Sequence, residues 1–94
     1  MTVEWTKAAT KQLEAAHDYV WGENRSAADR LLLQIMDSIE NLISHPPSGR
    51  EGRVKGTREL VILNTPFVVA YRIYDEAIQI LAVIHGKRRW PTKF

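Results

Sequence analysis

An α+β fold is predicted by three features of this 94-residue sequence. Apolar residues recur at helical spacing through most of the first half. From Arg53 onward they alternate with a period of two. The breakers between the later apolar runs are too short to hold crossover helices, so neighbouring strands must run antiparallel. Together these give a two-layer domain in the order β-α-α-β-β-β: a short N-terminal strand, then an antiparallel helical hairpin packed on a mainly antiparallel sheet.

The alternation in Val3-Glu4-Trp5 predicts the brief first strand. Thr6 is placed to cap a helix whose stripe is Ala9, Leu13, Ala16 and Val20. Gly22-Glu23-Asn24 stops it. Ser26 is expected to cap a second helix, with Asp29 as its capping-box acid. That helix carries an apolar face of Ala28, Leu31, Leu32, Ile35, Ile39, Leu42 and Ile43. So few residues separate the two helices that they must form a hairpin. Ser44-His45-Pro46-Pro47 ends the second helix, because proline disfavours helical geometry in the residue before it. Arg53-Val54-Lys55 then predicts a short strand and Arg58 to Leu63 a longer one. Asn64-Thr65-Pro66 is a turn, Phe67 to Ile73 a strand rich in β-branched and aromatic residues, Asp75-Glu76 a tight turn, and Ala77 to Ile84 the last strand. No repeat or linker divides residues 1–94, so one domain is expected.

Composition narrows the chemistry. The apolar fraction of 45% and charged fraction of 26% are those of an ordinary folded domain. With no cysteine there is no disulfide framework, thiolate zinc site or cysteine nucleophile. That absence fits a reducing, cytoplasmic location. No apolar run is long enough to span a bilayer, and the N-terminus lacks the basic start and apolar stretch of a signal peptide. The net charge of +2 conceals a split. Residues 1–49 hold four Lys/Arg and seven Asp/Glu, a net of −3, whereas residues 50–94 hold nine and four, a net of +5. Such a sign split points to an anionic partner, either nucleic acid or an acidic protein surface.

The basic half is concentrated in two segments. Arg50, Arg53, Lys55 and Arg58 lie in and around the first two strands after the helices, and Lys87, Arg88 and Arg89 follow the last strand, flanked by His85 and Trp90. Converging at one sheet edge, they would make a concave basic surface with an aromatic in it. Edge cations also guard against strand-to-strand aggregation, and a solvated tail needs no partner at all. Other chemistries lack their residues. His17, His45 and His85 have no metal-motif spacing, Asp75-Glu76 is a turn, and Glu59 among cations reads as an ion pair. Gly49, Gly52 and Gly56 form neither a phosphate loop nor a dinucleotide fingerprint, so no cofactor or metal is expected.

Three segments carry a family pattern: Pro47 to Val61, Pro66 to Ile73, and Ile80 to Pro91, the last reading Ile80-Leu81-Ala82-Val83-Ile84-His85-Gly86-Lys87-Arg88-Arg89-Trp90-Pro91. With the opening Val3-Glu4-Trp5 and the helical hairpin, the chain resembles the RelE/ParE superfamily of bacterial toxins. The resemblance covers nearly all of the sequence. It implies the toxin half of a type II toxin–antitoxin pair, and the +5 half and the amphipathic helical pair lead us to expect an acidic antitoxin that folds on binding. It also implies one of two targets: DNA gyrase, which is poisoned, or mRNA on the ribosome, which is cut. An inactive interaction domain of the same fold is the third possibility. For the ribonuclease branch, the resemblance puts the two strand lysines at Glu59 and Val61 and an arginine at Val68, so all three are replaced. A later arginine falls on Arg88 and is kept, and the terminal tyrosine falls on Phe94, which keeps a ring without a hydroxyl. A nuclease would then rely on Arg88 for charge and on His85 or Lys55 as base. A gyrase poison would use Arg50, Arg53, Arg58, Lys87, Arg89, Trp90 and Phe94 as contacts. The departures favour the gyrase branch.

Overall fold

A computed structural model describes residues 1–94. The elements are β1 (Thr2–Trp5), α1 (Lys7–Trp21), α2 (Arg25–Ser44), β2 (Arg50–Glu51), β3 (Arg58–Val61), β4 (Phe67–Tyr74) and β5 (Ala77–His85), with one turn of 3-10 helix over Pro46–Ser48. The five strands form one sheet in the order β1-β5-β4-β3-β2. β1 lies parallel to β5, and every other pairing is antiparallel.

The helices form because each has a cap and one apolar stripe. Thr6 accepts from the Ala9 N–H at 3.1 Å and starts α1, as its position predicted. α2 begins two residues earlier than the sequence suggested: Asn24, not Ser26, is the cap and accepts from the Ala27 N–H at 3.0 Å. Asp29 is therefore no capping-box acid; its carboxylate faces His17 Nε2 of α1 at 3.3 Å. Leu31, Ile35, Ile39 and Leu42 of α2 pack with Ala9 and Ala16 of α1 against Ile62, Val69, Tyr71, Ile78, Ile80 and Val83. Each large aliphatic side chain buried there is worth roughly 1.5–3 kcal/mol over exposure.

The expected strand at Arg53–Lys55 is absent. Those residues form a turn, and the short strand is Arg50–Glu51, paired Arg50↔Glu59 and Glu51↔Arg58. The turn is fixed by Gly56 at φ +80°, a conformation that favours glycine, and by the Gly52 N–H bond to the Thr57 carbonyl at 2.8 Å. Asp75 and Glu76, both at positive φ, join β4 to β5 in the two-residue hairpin the sequence predicted.

A β-bulge changes the β4–β5 register from Ala70↔Ala82 to Tyr71↔Ile80 and leaves Leu81 as the extra residue. Both carbonyls at the bulge then meet Thr6: its N–H bonds Ile80 O at 3.1 Å and its Oγ1 bonds Leu81 O at 3.2 Å. The irregular strand thus anchors the start of α1. On the face away from the helices a second small cluster, Ala70, Ala82 and Ile84, is covered by Trp90 of the C-terminal tail.

Candidate functional site

Register decides what the helix-free face carries. Glu59 lies opposite Ala70, Val61 opposite Val68, Val68 opposite Ile84 and Ala70 opposite Ala82. Strand alternation puts all of these on the face that Trp90 covers. The centre of that face is therefore apolar, with one carboxylate. Glu59 is 2% exposed. Its Oε1 accepts from Arg50 Nη2 at 2.9 Å and Arg50 Nε at 3.2 Å. Its Oε2 accepts from the Arg53 N–H at 2.8 Å and lies 3.4 Å from Arg53 Nε. Burial alone would raise the Glu59 pKa. The Arg53 N–H, the Arg50 guanidinium and the charge of both arginines overcome that and hold it below its ordinary value.

Arg53 is held on its other side by Trp90, with the guanidinium carbon 4.0 Å from the ring centroid. This stack brings the two basic segments of the sequence together. Arg50 and Arg53 are half-exposed but both engaged. Arg58 turns the other way and acts on the chain: its Nη1 donates to Gly49 O at 2.9 Å and Pro47 O at 3.2 Å, clamping the connection after α2. Lys55 stands exposed in the turn, apart from that cluster.

The same clamp involves a residue not marked by the sequence reading. Tyr71 is fully buried, and its hydroxyl accepts from the Gly49 N–H at 2.8 Å and donates to Pro46 O at 2.6 Å. Burial raises the Tyr71 pKa, opposed in smaller part by the Gly49 N–H and the Arg58 charge. A Cβ on Gly49 would sit 2.6 Å from the Tyr71 hydroxyl oxygen, so no other residue fits without displacing the ring. The legible signal was a tyrosine in an otherwise apolar strand, since a buried hydroxyl needs a partner.

Beyond β5 the tail lines a groove of about 1100 Å³ with α1 and the β3–β4 turn. Its floor includes Ala16, Val20, Leu31 and Phe67, and its rim carries Lys87, Arg88, Arg89 and Lys93. None of these four cations forms an ion pair. Phe94 is exposed at the end of the chain. His85 packs edge-on to Phe67, with centroids 5.7 Å apart, and its Nδ1 accepts from the Lys87 N–H at 3.2 Å. That bond occupies Nδ1 as an acceptor. The arrangement suits recognition of an acidic or phosphate-bearing surface more than proton abstraction.

The chain resembles known proteins along most of its length. The model of a family described as the ParE toxin of the type II toxin–antitoxin system parDE matches residues 3–90. The candidate toxin Y4kP of Sinorhizobium fredii is 36% identical over 89 residues, 95% of this chain and 92% of that protein. Toxin RelE2 of Caulobacter vibrioides is 31% identical over 86 residues, 92% of this chain and 96% of that protein. A chain from the chromosomal ParDE system of P. aeruginosa superposes with a TM-score of 0.82 at 26% identity, covering 90% of this chain and 95% of that one. A YoeB/ParE toxin from Agrobacterium tumefaciens shares the fold, with a TM-score of 0.64 at 18% identity over 90% of this chain and 98% of that one.

Proposed function

The chain belongs to the ParE toxin family and is the toxin component of a type II toxin–antitoxin system, and from that premise we propose that it acts by binding and poisoning DNA gyrase. The observation that carries this reading is the occupancy of the helix-free face. RNA cleavage through the 2′-hydroxyl needs a base, a donor for the phosphorane charge and an acid for the leaving oxygen. Here the three strand positions that resemblance to the ribonuclease branch would fill with cations hold Glu59, Val61 and Val68. Glu59 further engages Arg50 and Arg53. Arg88, flanked by Lys87 and Arg89, supplies charge without an adjacent free proton acceptor, because His85 Nδ1 accepts from the Lys87 N–H.

What is left is a binding epitope: Lys87, Arg88 and Arg89 free on the tail, with Trp90 stacked under Arg53. A cognate antitoxin accompanies a toxin of this family. On this reading it is acidic and folds over the cationic half, and the pair works in the cytoplasm; no helix is long and apolar enough to cross a membrane.

Induction of the protein in cells, followed by two readouts, tests the target. Gyrase-linked DNA breaks with intact ribosome-bound mRNA are expected. Arg88→Lys should be partly tolerated, since a contact needs charge, whereas a charge-stabilising catalytic arginine needs its bidentate fork. The name of the Caulobacter relative, Toxin RelE2, supplies the competing outcome. Ribosome-associated mRNA cuts that disappear in both Arg88→Lys and His85→Gln, with folding intact, would overturn the gyrase reading.

A further inference from the structure

The cations of the tail lie between two anchors. At the first, the chain leaves β5 through bonds of the Gly86 N–H to Pro66 O at 2.6 Å, the Lys87 N–H to His85 Nδ1 at 3.2 Å and the Arg88 N–H to His85 O at 2.9 Å. The second is Trp90. Its ring sits on Ala70 and Ala82, which face each other across β4 and β5. Beside the larger Val68↔Ile84 pair, these two small side chains leave a shallow seat that the indole fills. No hydrogen bond holds the ring there: Trp90 Nε1 is buried without a partner. An unpaired buried donor opposes the docked position. What retains Trp90 is apolar contact below and the Arg53 guanidinium, its carbon 4.0 Å from the ring centroid. Arg53 is in turn directed by Glu59, whose carboxylate accepts from the Arg53 N–H at 2.8 Å and lies 3.4 Å from its Nε. Arg50 engages the same carboxylate at 2.9 Å, but no aromatic ring stacks on it.

We propose that Glu59 and Arg53 are positioning residues for the cationic tail: the buried carboxylate aims the Arg53 guanidinium over Trp90, and the ring so held closes residues 86–90 into a rigid segment that presents Lys87, Arg88 and Arg89 in one arrangement. The inference deepens the proposed function and rests on its reading of the tail as the element that contacts gyrase. A segment ordered before binding loses less conformational freedom when its partner arrives. The same three charges therefore bind more tightly from a pinned tail than from a free one. Glu59, at 2% exposure, is too buried to touch a protein partner, so its effect on recognition passes through Arg53 and Trp90. Its place in the sheet suits that role: Glu59 lies opposite Ala70, in the row of side chains that Trp90 covers.

The test uses the full-length toxin labelled with ¹⁵N, each variant measured well below its melting transition. Backbone order parameters of Lys87 to Arg89 and solvent exchange of the Trp90 indole N–H read the tail directly. Arg53→Gln and Glu59→Gln should each lower those order parameters below about 0.6 and speed indole exchange at least about tenfold. Arg50→Gln removes the other ion pair of Glu59 and should leave both readouts at the parent values, which separates positioning from a general loss of stability. Affinity for purified gyrase should fall at least about threefold in Glu59→Gln, although the charge of Arg53 is kept. A tail as ordered in Arg53→Gln and Glu59→Gln as in the parent, or one loosened equally by Arg50→Gln, overturns the positioning proposal. A loosened tail with unchanged gyrase affinity in Glu59→Gln overturns it as well. A parent toxin that does not bind gyrase, with the tail loosened in the variants as expected, overturns the gyrase reading instead.

Discussion

Glu59→Gln isolates the contribution of a buried charge that anchors two cations. The substitution preserves shape but replaces one carboxylate oxygen by an NH₂ group. In either orientation that group confronts a donor: Arg50 Nη2, now at 2.9 Å, or the Arg53 N–H, now at 2.8 Å. One side of the network is lost and the other is weakened by loss of charge. Hydrogen bonds to charged groups are worth about 1.5–3 kcal/mol each. Because both arginines are half-exposed and regain water, the net cost is about 2–3 kcal/mol, below the upper range for breaking a fully buried pair. For a domain of this size that lowers Tm by about 10–20 °C. Urea denaturation at neutral pH should show a lower midpoint with an unchanged slope. The pH dependence has a definite sign. The folded-state pKa of Glu59 lies below its ordinary 4.5, so its stabilisation is complete above that pH and is lost as pH falls through the folded value. Parent and variant should therefore converge in acid. A variant within about 0.5 kcal/mol of the parent at neutral pH, or a gap that widens in acid, would refute the account of Glu59 as an ionised anchor.

Other expectations are simpler. Tyr71→Phe leaves the buried Gly49 N–H without its acceptor and should cost about 1–3 kcal/mol, measured by chemical denaturation. Ile35→Ala and Ile80→Ala each empty a fully buried site and should cost about 2–5 kcal/mol, with soluble yield and toxicity falling together. Arg88→Ala, on the exposed tail, should stay within about 0.5 kcal/mol of the parent while toxicity falls; a large drop in Tm would make Arg88 structural.

Elements whose signals are local were legible in the sequence. Thr6 as a cap, the α2 stripe and the Asp75-Glu76 hairpin depend on neighbours a few residues away. Asn24 and Ser26 are equally good caps, and only the backbone path between the helices chooses Asn24. Arg53-Val54-Lys55 alternates as a strand does, but Gly56 and the pull of Glu59 on the Arg53 N–H bend it into a turn. The cations of the site could be counted from the sequence, yet their roles could not be assigned. Arg50, Arg53 and Arg58 look alike in sequence. The fold binds the first two to Glu59 and sends the third to backbone carbonyls, decisions made by contacts that register alone creates. Trp90 is likewise an ordinary tail residue until Ala70 and Ala82 are placed beneath it.

The parallel pairing of β1 with β5 joins the first strand of the fold to its last. Thr2 meets Ala77, and the Thr6 hydroxyl reaches Leu81, 75 positions along the chain. Closing a loop of that length costs about 1.8 kcal/mol more in entropy than closing one of ten residues. It also cannot close while β5 is still inside the ribosomal tunnel. Until β5 emerges, the chain therefore holds its helical hairpin without the strand that α1 packs on. The last strand to emerge is thus the one on which the first helix docks, so the fold is completed by its latest element.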